Sequence, residues 1–344
     1  MIMMKQSMFC NLAFFGVVLS SSAVIAAEIT VEGDVARLKA GVLTREIELS
    51  KNSLRTTGIA VDGKQLLART AREFVLRVRR ASPNACPVGL KPGEGEALDS
   101  VLTFRKNYKE DPARWEDNRP GAVRWVEPLE ISSDNWSKLA GKPRCKVDEP
   151  KTGVQRLDVA VELTDKSSFG KLTVTLCYEV YAGHPVIRKW VEIKNTGDRW
   201  LMLDQMTIDD LHLGEAFLNA VPLTPHERGA ESSIIAFGNT DQSMGVIAGS
   251  EVPSALRTIG KDGSLGYREK WFEWVIGPGE TFVSEPVFLY AYCGPVQKTI
   301  SARSTPLDRA VEGHYMAFLR EHLGVGPDTN PLHGPQWMTW AGIF

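Results

Sequence analysis

Few residues of this chain have the type and spacing that acid–base chemistry requires. The clearest acidic pair is Asp209-Asp210, two carboxyl groups on consecutive residues of a predicted strand. Consecutive strand residues point to opposite faces of a sheet, whereas general acid–base catalysis needs both groups to reach one substrate. We therefore predict that this pair lies at a solvated strand end or turn, and we assign no catalytic residue.

Histidines are the other candidates for acid–base or metal chemistry. His184 falls in a predicted hairpin turn, His212 in a strand and His226 in a loop. His314 and His322 share a predicted helix but lie eight positions apart, too far for a metal pair on one helical turn. The chain has no Cys-x-x-Cys or His-rich spacing of the kind that binds zinc. We predict structural or exposed histidines, with no metal and no cofactor.

Four cysteines follow the first 27 residues, and four thiols allow three fully paired connectivities. Cys86 and Cys145 fall in stretches rich in proline and glycine, where a disulfide is easiest to accommodate, so we predict that these two pair. Cys177 and Cys293 fall within strand-like runs. Such cysteines are more often buried free thiols.

Residues 1–27 have the pattern of a cleavable signal peptide. Lys5 supplies positive charge, Leu12–Val18 is apolar, and Ser20–Ala27 ends in small residues suited to cleavage after Ala26 or Ala27. The apolar run is too short for a membrane span. We expect a periplasmic or secreted protein with no membrane span in the mature chain. Its net charge of −2 gives no reason to expect a nucleic-acid partner.

The elements that would position these residues are mostly strands. Leu172–Val180 alternates apolar and polar residues, the period of a strand with one buried face. Gly183-His184-Pro185 interrupts the run, Val186–Lys194 resumes it, and the turn signal at residues 195–198 precedes a third run at Trp200–Met206. This stretch predicts a three-stranded meander, in which the charges of Arg188 and Lys189 face outward. Between residues 81 and 150 the pattern dissolves, and the sequence does not show what that segment does.

One helix is predicted near the end of the chain. Ser304 or Thr305 can cap it, Pro306 suits its first position, and Gly324 can end it. The predicted apolar stripe is Leu307, Val311, His314, Phe318 and Leu323. A Pro/Gly-rich linker and an apolar, strand-like terminus at residues 336–344 follow.

Several motifs carry a resemblance to a known family. They are Tyr178-Glu179-Val180-Tyr181, the run from Pro185 to Ile193, Asn195-Thr196-Gly197, Gly277–Thr281 with Ser284-Glu285-Pro286, and the terminal Met338-Thr339-Trp340. Together they resemble the amino-terminal β-supersandwich of α-galactosidases of glycoside hydrolase family thirty-six. The resemblance implies an all-β, antiparallel supersandwich over residues 28–303 and a helix with linker over 304–335. Residues 336–344 are similar to the first strand of that family's (β/α)₈ barrel.

The resemblance implies a non-catalytic role. The family's catalytic aspartates lie on later barrel strands, so we expect an accessory module, a fragment inactive on its own. Such a module would pack on a catalytic barrel domain, support homo-oligomer assembly and line the rim of the sugar pocket. The family pattern favours Trp340 as a contact for a galactose-containing or other oligosaccharide, and its neighbours Thr339 and Trp337 are the further candidates. Met338 departs from it, because the family tends to have Asn there.

Two other classes remain open. Nine tryptophans suit a stand-alone carbohydrate-binding module, since aromatic faces stack on sugars. Trp271 and Trp274 lie three apart on a strand and hence on opposite faces, so at most one would serve a sugar, and Trp190 is predicted to be core. An aldose 1-epimerase-like enzyme is the less favoured alternative. It would need a His acid and a Glu base, for which His226 beside Glu227 is suggestive only by proximity in sequence.

Overall fold

The computed structural model describes residues 27–50, 53–80, 129–134, 141–166, 169–223, 233–251, 257–267, 272, 274–298 and 303–324. Its strands, in chain order, are β1 (Ala27–Glu32), β2 (Val35–Ala40), β3 (Leu43–Ser50), β4 (Ser53–Val61), β5 (Lys64–Gln65), β6 (Ala71–Arg72), β7 (Val75–Arg80), β8 (Leu129–Ser132), β9 (Arg144–Lys151), β10 (Val154–Asp165), β11 (Gly170–Tyr181), β12 (Val186–Asn195), β13 (Leu201–Asp209), β14 (Asn219–Pro222), β15 (Ile234–Gly238), β16 (Met244–Ser250), β17 (Arg257–Ile259), β18 (Leu265–Tyr267), β19 (Trp274–Ile276), β20 (Thr281–Val283), β21 (Val287–Cys293), β22 (Gln297–Lys298) and β23 (Arg303–Ser304).

The strands form three large antiparallel sheets. The first is an amino-terminal meander in the order β1-β2-β3-β4-β5, with β6 on β4. The second has nine strands in the order β14-β15-β16-β21-β12-β11-β10-β9, with β20 on β12. The third is β17-β18-β13-β7-β8, with β19 on β13. A separate two-stranded pair joins β22 and β23. The predicted all-β, antiparallel class is confirmed.

Alternating burial shows how these sheets stack. Along β3 every second side chain is buried, as expected for a sheet with one face in a core. A single hydrophobic core takes in residues from all three large sheets. Isolated bridges Leu67↔Leu213 and Arg72↔Asp210 join the first sheet to the third edge to edge. The first and third sheets thus form one layer, and the nine-stranded sheet packs against it as the second layer of a sandwich.

All three strands of the predicted meander are present, but only the first two pair with each other. The third, β13, belongs to a different sheet. β11 and β12 form a hairpin, pairing Leu172 with Asn195 at one end and Val180 with Ile187 at the other. β13 does not continue that sheet, because the other edge of β12 is already paired with β20 and β21. The chain instead crosses to the opposite layer, where β13 pairs with β7, β18 and β19.

The predicted helix is present, in three consecutive parts. They are α1 (Pro306–Arg309), a π-helical turn (Ala310–His314) and α2 (Tyr315–His322). Thr305 caps it as predicted: its hydroxyl accepts from the Asp308 amide at 3.2 Å, while the Asp308 carboxylate accepts from the Thr305 amide at 2.7 Å.

The buried face of this helix differs from the predicted stripe. Leu307 and Phe318 are buried as expected, but His314 is exposed, and Tyr315 takes the buried position instead. The π-helical turn adds a residue to one turn and so shifts the phase of every later side chain. The helix packs through this face on a second hydrophobic cluster that includes Phe288 and Tyr290 of β21.

The ends of the predicted domains are only partly within the described residues. β1 begins at Ala27, so cleavage after Ala26 would leave that strand whole. The predicted leader and the predicted strand at 336–344 lie outside the described part of the chain, and both stay predictions. None of the helices that the structure describes is long and apolar enough to cross a membrane.

Candidate functional site

Four charged side chains meet in the middle of the sandwich. Arg45 comes from β3, Glu73 from the residues between β6 and β7, Lys189 from β12 and Asp209 from the end of β13. Each is at most 1% exposed. We call these four residues the buried charge cluster. Two positive and two negative groups balance, as isolated charges in a low-dielectric interior would be very costly.

The guanidinium of Arg45 bridges both carboxylates of the cluster. It donates to the two oxygens of Asp209 at 2.7 and 2.8 Å, a bidentate pair, and to those of Glu73 at 2.9 and 3.1 Å. Its Nε donates to the Thr56 hydroxyl at 2.7 Å. This fork of donors is the geometry in which arginine binds carboxylates most strongly.

Lys189 completes the cluster from the opposite layer. Its ammonium donates to the Glu73 carboxylate at 2.7 Å, the Glu73 carbonyl at 2.8 Å and the Asp209 carboxylate at 2.8 Å, which uses all three of its N–H groups. The Tyr178 hydroxyl also donates to the Glu73 carboxylate, and its ring lies 5.4 Å from the Arg45 guanidinium carbon. Every charged group of the cluster is therefore hydrogen-bonded.

The electrostatics of the cluster exclude a role as the paired carboxyls of a glycosidase. The carboxylates of Glu73 and Asp209 both accept from the Lys189 ammonium, so they lie near each other, as the two carboxyl groups of a glycosidase must. A general acid must carry a proton, however. Burial alone would favour the protonated form of Glu73, but Arg45 and Lys189 together hold the pKa of its carboxyl well below its usual range. Both groups are also shut off from solvent. The cluster stabilises the fold and cannot cleave a sugar.

Asp210 confirms that the acidic pair divides between two faces. Its carboxylate accepts from Arg72 at 2.5 Å and lies 3.5 Å from His212, whereas neighbouring Asp209 faces Arg45 and Lys189. The prediction of a solvated strand end is wrong for both aspartates, which are 1% and 7% exposed. The reason is that β13 ends beside cationic side chains of other strands. Arg45 and Lys189 pair with Asp209, and Arg72 pairs with Asp210.

The position of Arg45 in the sequence indicates a buried charge, because it lies in phase with the buried apolar residues of its strand. Leu43, Ile47 and Leu49 are the inward residues of β3, and Arg45 occupies the same register. A charged residue in phase with a buried face needs a partner of opposite charge. Lys189 gave no such signal, because its run was expected to place its charges outward and it is instead 1% exposed.

A cavity of about 270 Å³ lies between the helix and the nine-stranded sheet. Pro185, Tyr290, Tyr292, Arg309 and His314 are among the residues that line it. Ligand pockets are usually larger, roughly 300–1,000 Å³. No aspartate or glutamate lines this cavity among the described residues, so it cannot supply a carboxyl pair either.

Most of the predicted sugar and disulfide residues lie outside the described residues. This applies to Trp337, Thr339, Trp340, His226, Glu227, Trp271 and Cys86. Cys145 lies on strand β9, and its placement in a loop is therefore wrong, while its pairing with Cys86 stays a prediction. Cys177 is a buried free thiol as expected. Cys293 is free and half-buried.

Two tryptophans have the exposure that their strands predict. Trp190 is buried as expected, at 8% exposure, under the guanidinium groups of Arg156 and Arg188. Trp274 is 51% exposed and packs on the ring of Phe282, with the ring centroids 5.4 Å apart. Trp271 lies outside the described residues, so the placement of the two tryptophans on opposite faces stays a prediction.

The histidines are arranged differently from the expectation. His212 lies between Asp210 and Asp262, with Arg69 at 3.3 Å from its ring. His314 and His322 do not meet. His322 instead lies beside His184, whose turn is distant in sequence, with their ring centroids 5.1 Å apart. Sequence spacing could not reveal this pair.

Comparison of the structure with solved proteins gives α-galactosidases of glycoside hydrolase family thirty-six. The enzyme AgaB from Geobacillus stearothermophilus aligns at 14% identity and a TM-score of 0.40 over 77% of this chain and 41% of its own. The α-galactosidase from Lactobacillus brevis aligns at 12% identity and a TM-score of 0.36, over 77% of this chain and 39% of its own. A polysaccharide lyase aligns at 9% identity and a TM-score of 0.38, over 77% and 34%.

The chain thus spans about two fifths of the length of the α-galactosidases it matches. No protein-family model matches the chain, and no curated protein sequence matches it. The similarity to the solved α-galactosidases concerns the fold alone.

Removing one member of the buried charge cluster should destabilise the protein strongly. Lys189→Met leaves Glu73 and Asp209 facing the single charge of Arg45, and breaking a buried pair in this way costs about 3–5 kcal/mol. Denaturant unfolding measures the loss. Lys194→Met, an exposed lysine on the same strand, is the matched control and should change stability by at most about 0.5 kcal/mol. Equal effects of the two substitutions would contradict the role of the cluster.

The cluster should also make the fold acid-sensitive. Because the pKa of Glu73 is lowered in the folded state, the unfolded chain binds a proton there first as the pH falls. The stabilisation that Glu73 contributes is therefore complete above its unfolded pKa of about 4.3 and lost progressively below it. Urea unfolding between roughly pH 5 and pH 3 should show stability falling more steeply in the parent protein than in Glu73→Gln. Glu46→Gln, at a half-exposed pair with Arg37, is the control and should keep the parent slope.

Proposed function

We propose that this chain is the non-catalytic β-sandwich module of an α-galactosidase-like glycoside hydrolase. The observation that carries the proposal is the environment of two neighbouring carboxyl groups. Glu73 and Asp209 are buried and paired with Arg45 and Lys189, so these two groups are structural. In this proposal the chemistry is supplied by residues outside the sandwich.

The sequence supports the choice of family. Its meander and turn motifs resemble the supersandwich of α-galactosidases, and the all-β sandwich with one capped helix agrees with the fold that this resemblance implies. In this proposal the sandwich packs on a catalytic barrel and supports assembly, while Trp337, Thr339 and Trp340 contribute to the rim of the sugar pocket. The buried charge cluster suits such a role, because it fixes the two layers rigidly against each other.

The helix gives the sandwich a defined route to a neighbouring domain. It is fixed at its start by the Thr305 cap and along its length by Leu307, Tyr315 and Phe318, which are buried on the nine-stranded sheet. The Gly324 end of the helix is therefore held at a fixed point on the sandwich. We propose that this point is where the sandwich meets the barrel.

The isolated chain should release no galactose. Incubated with raffinose or a chromogenic α-galactoside, the full chain from a host that lacks an α-galactosidase gene should show no hydrolysis above the buffer rate. The physical reason is that the two neighbouring carboxyl groups in the described part of the sandwich, Glu73 and Asp209, are buried and bound to cations. Turnover that survives Glu73→Gln and further purification would contradict the non-catalytic assignment and point to residues outside the described part of the chain.

Calorimetry with raffinose on the same protein separates this role from that of a stand-alone carbohydrate-binding module. A rim residue contributes little without the rest of the pocket, so the proposed role predicts no measurable binding by the isolated chain. Binding that Trp340→Ala abolishes would favour the stand-alone module with a site at the chain's end. Trp274→Ala is the matched control for an exposed tryptophan. Loss of binding on that substitution alone would place the sugar site on β19.

The coding DNA beyond Phe344 tests the partner of the module. An in-frame segment, or an adjoining gene, that encodes the later strands of a (β/α)₈ barrel is the expected result, since the proposal needs a catalytic domain with two aspartates. A stop codon with no barrel gene nearby would contradict the proposal. Sequencing of the genomic region around this gene shows directly which of the two results holds.

A further inference from the structure

A turn of the sandwich and the end of the helix meet at three side chains that can bind a metal. His184 lies in the turn between β11 and β12, and Glu321 and His322 are the last residues of α2. The turn is fixed by its backbone: the His184 amide donates to the Tyr181 carbonyl at 3.2 Å, and its carbonyl accepts from the Val186 amide at 2.9 Å. The backbone position from which the His184 imidazole projects is therefore fixed.

The three groups already lie near the distances that a metal requires. His184 Nε2 and Glu321 Oε2 are 2.9 Å apart, and the ligand atoms of all three side chains lie within 4.8 Å of one another. In a tetrahedral zinc site with bonds of about 2.0–2.1 Å, neighbouring ligand atoms are about 3.3 Å apart. The His184–Glu321 pair needs almost no change. His322 is at the helix end, where a side-chain rotation can bring its nitrogen closer.

The surroundings favour a cation over another explanation of the cluster. His184 is 7% exposed, and its Nδ1 has no hydrogen-bond partner among the described residues. This nitrogen is not the one that contacts Glu321, so a metal bound at Nε2 would leave it unpaired; what favours a cation is the carboxylate held 2.9 Å from Nε2. The Glu321 carboxylate contacts neither arginine nor lysine within the described ranges, so its negative charge is available.

The other histidine–carboxylate group of the sandwich lacks this property. Around His212, the Asp210 carboxylate is bound by Arg72, and Arg69 approaches the imidazole at 3.3 Å. Two arginines lie directly against that group and would repel a metal ion. Near the group on the helix, Lys151 also acts on His322, but it forms no ion pair with Glu321 among the described residues. The group on the helix is therefore the less strongly opposed by resident cations.

We propose that His184, Glu321 and His322 form a binding site for a divalent transition metal of the zinc type. Two imidazoles and one carboxylate are ligands that zinc accepts, and water would complete the coordination. Hard cations such as Mg²⁺ prefer oxygen ligands and would not compete. The metal would fasten the end of the helix to the β11–β12 turn. This inference is independent of the proposed function.

Zinc titration of the tag-free, chelator-treated full chain tests the site. Calorimetry should show one zinc ion bound per chain, and thermal unfolding should shift to higher temperature with added zinc, because a ligand that binds only the folded state stabilises it. Glu321→Gln and His322→Gln should each weaken zinc binding by at least about tenfold. Magnesium should produce neither effect.

Matched controls separate this site from other zinc-binding groups. His314→Gln removes an exposed histidine of the same helix and should leave zinc affinity unchanged. Cys145→Ser removes an exposed cysteine, for which a bond to Cys86 is predicted, and should also leave zinc affinity unchanged. Glu321 and His322 lie at the surface end of the helix, and unfolding without zinc verifies that their variants are folded. Absence of zinc binding, equal affinity in His322→Gln and the parent, or loss of binding in Cys145→Ser would overturn the proposal.

Discussion

The neutralisation of four buried charges is the constraint on which the rest of this sandwich depends. Arg45 and Lys189 enter from opposite layers, and Glu73 and Asp209 hold them together. A buried ion network is weak evidence for high stability, because removing the ions from water offsets most of their attraction. Its effect here is geometric. The three sheets can approach in only one arrangement that leaves no charge unpaired.

Hydrophobic packing provides the area of contact that the charges lack. One core takes in side chains from all three large sheets, and a second cluster docks the helix on β21 and its neighbours. Burial of this kind is not directional. The buried charge cluster fixes the relative orientation of the sheets, which hydrophobic burial does not specify. Its two carboxylates are then unavailable for catalysis. The same groups cannot both balance buried cations and act on a substrate.

The sequence predicted the local features of this structure well, and the reason is their short range. Alternation located β11 and β12, and the cap at Ser304 or Thr305 followed by Pro306 located the start of the helix. What failed was decided by distant neighbours. β13 lies in the other layer because β20 and β21 occupy the edge of β12. Lys189 is buried because it pairs with Glu73 and Asp209.

The candidate sites follow the same division. The opposite faces of Asp209 and Asp210 followed from strand geometry, but their burial depended on Arg45 and Arg72, which no local pattern connects with them. The meeting of His184 with His322 required both the hairpin turn and a helix whose phase a π-helical turn had shifted. One inserted residue in a helical turn is invisible to a periodicity of 3.6.

The buried charge cluster has a consequence for how this chain reaches its native state. Arg45 and Asp209 are 164 positions apart, and Glu73 and Lys189 are 116 apart, so the network closes only after very distant segments have met. Such contacts make folding slow, since the entropy of closing long loops is lost before the contacts form. Any intermediate that buries one layer without the other holds an unpaired charge and is unstable. We expect the domain to form as a single cooperative unit, in which no stretch ending before β13 can fold alone.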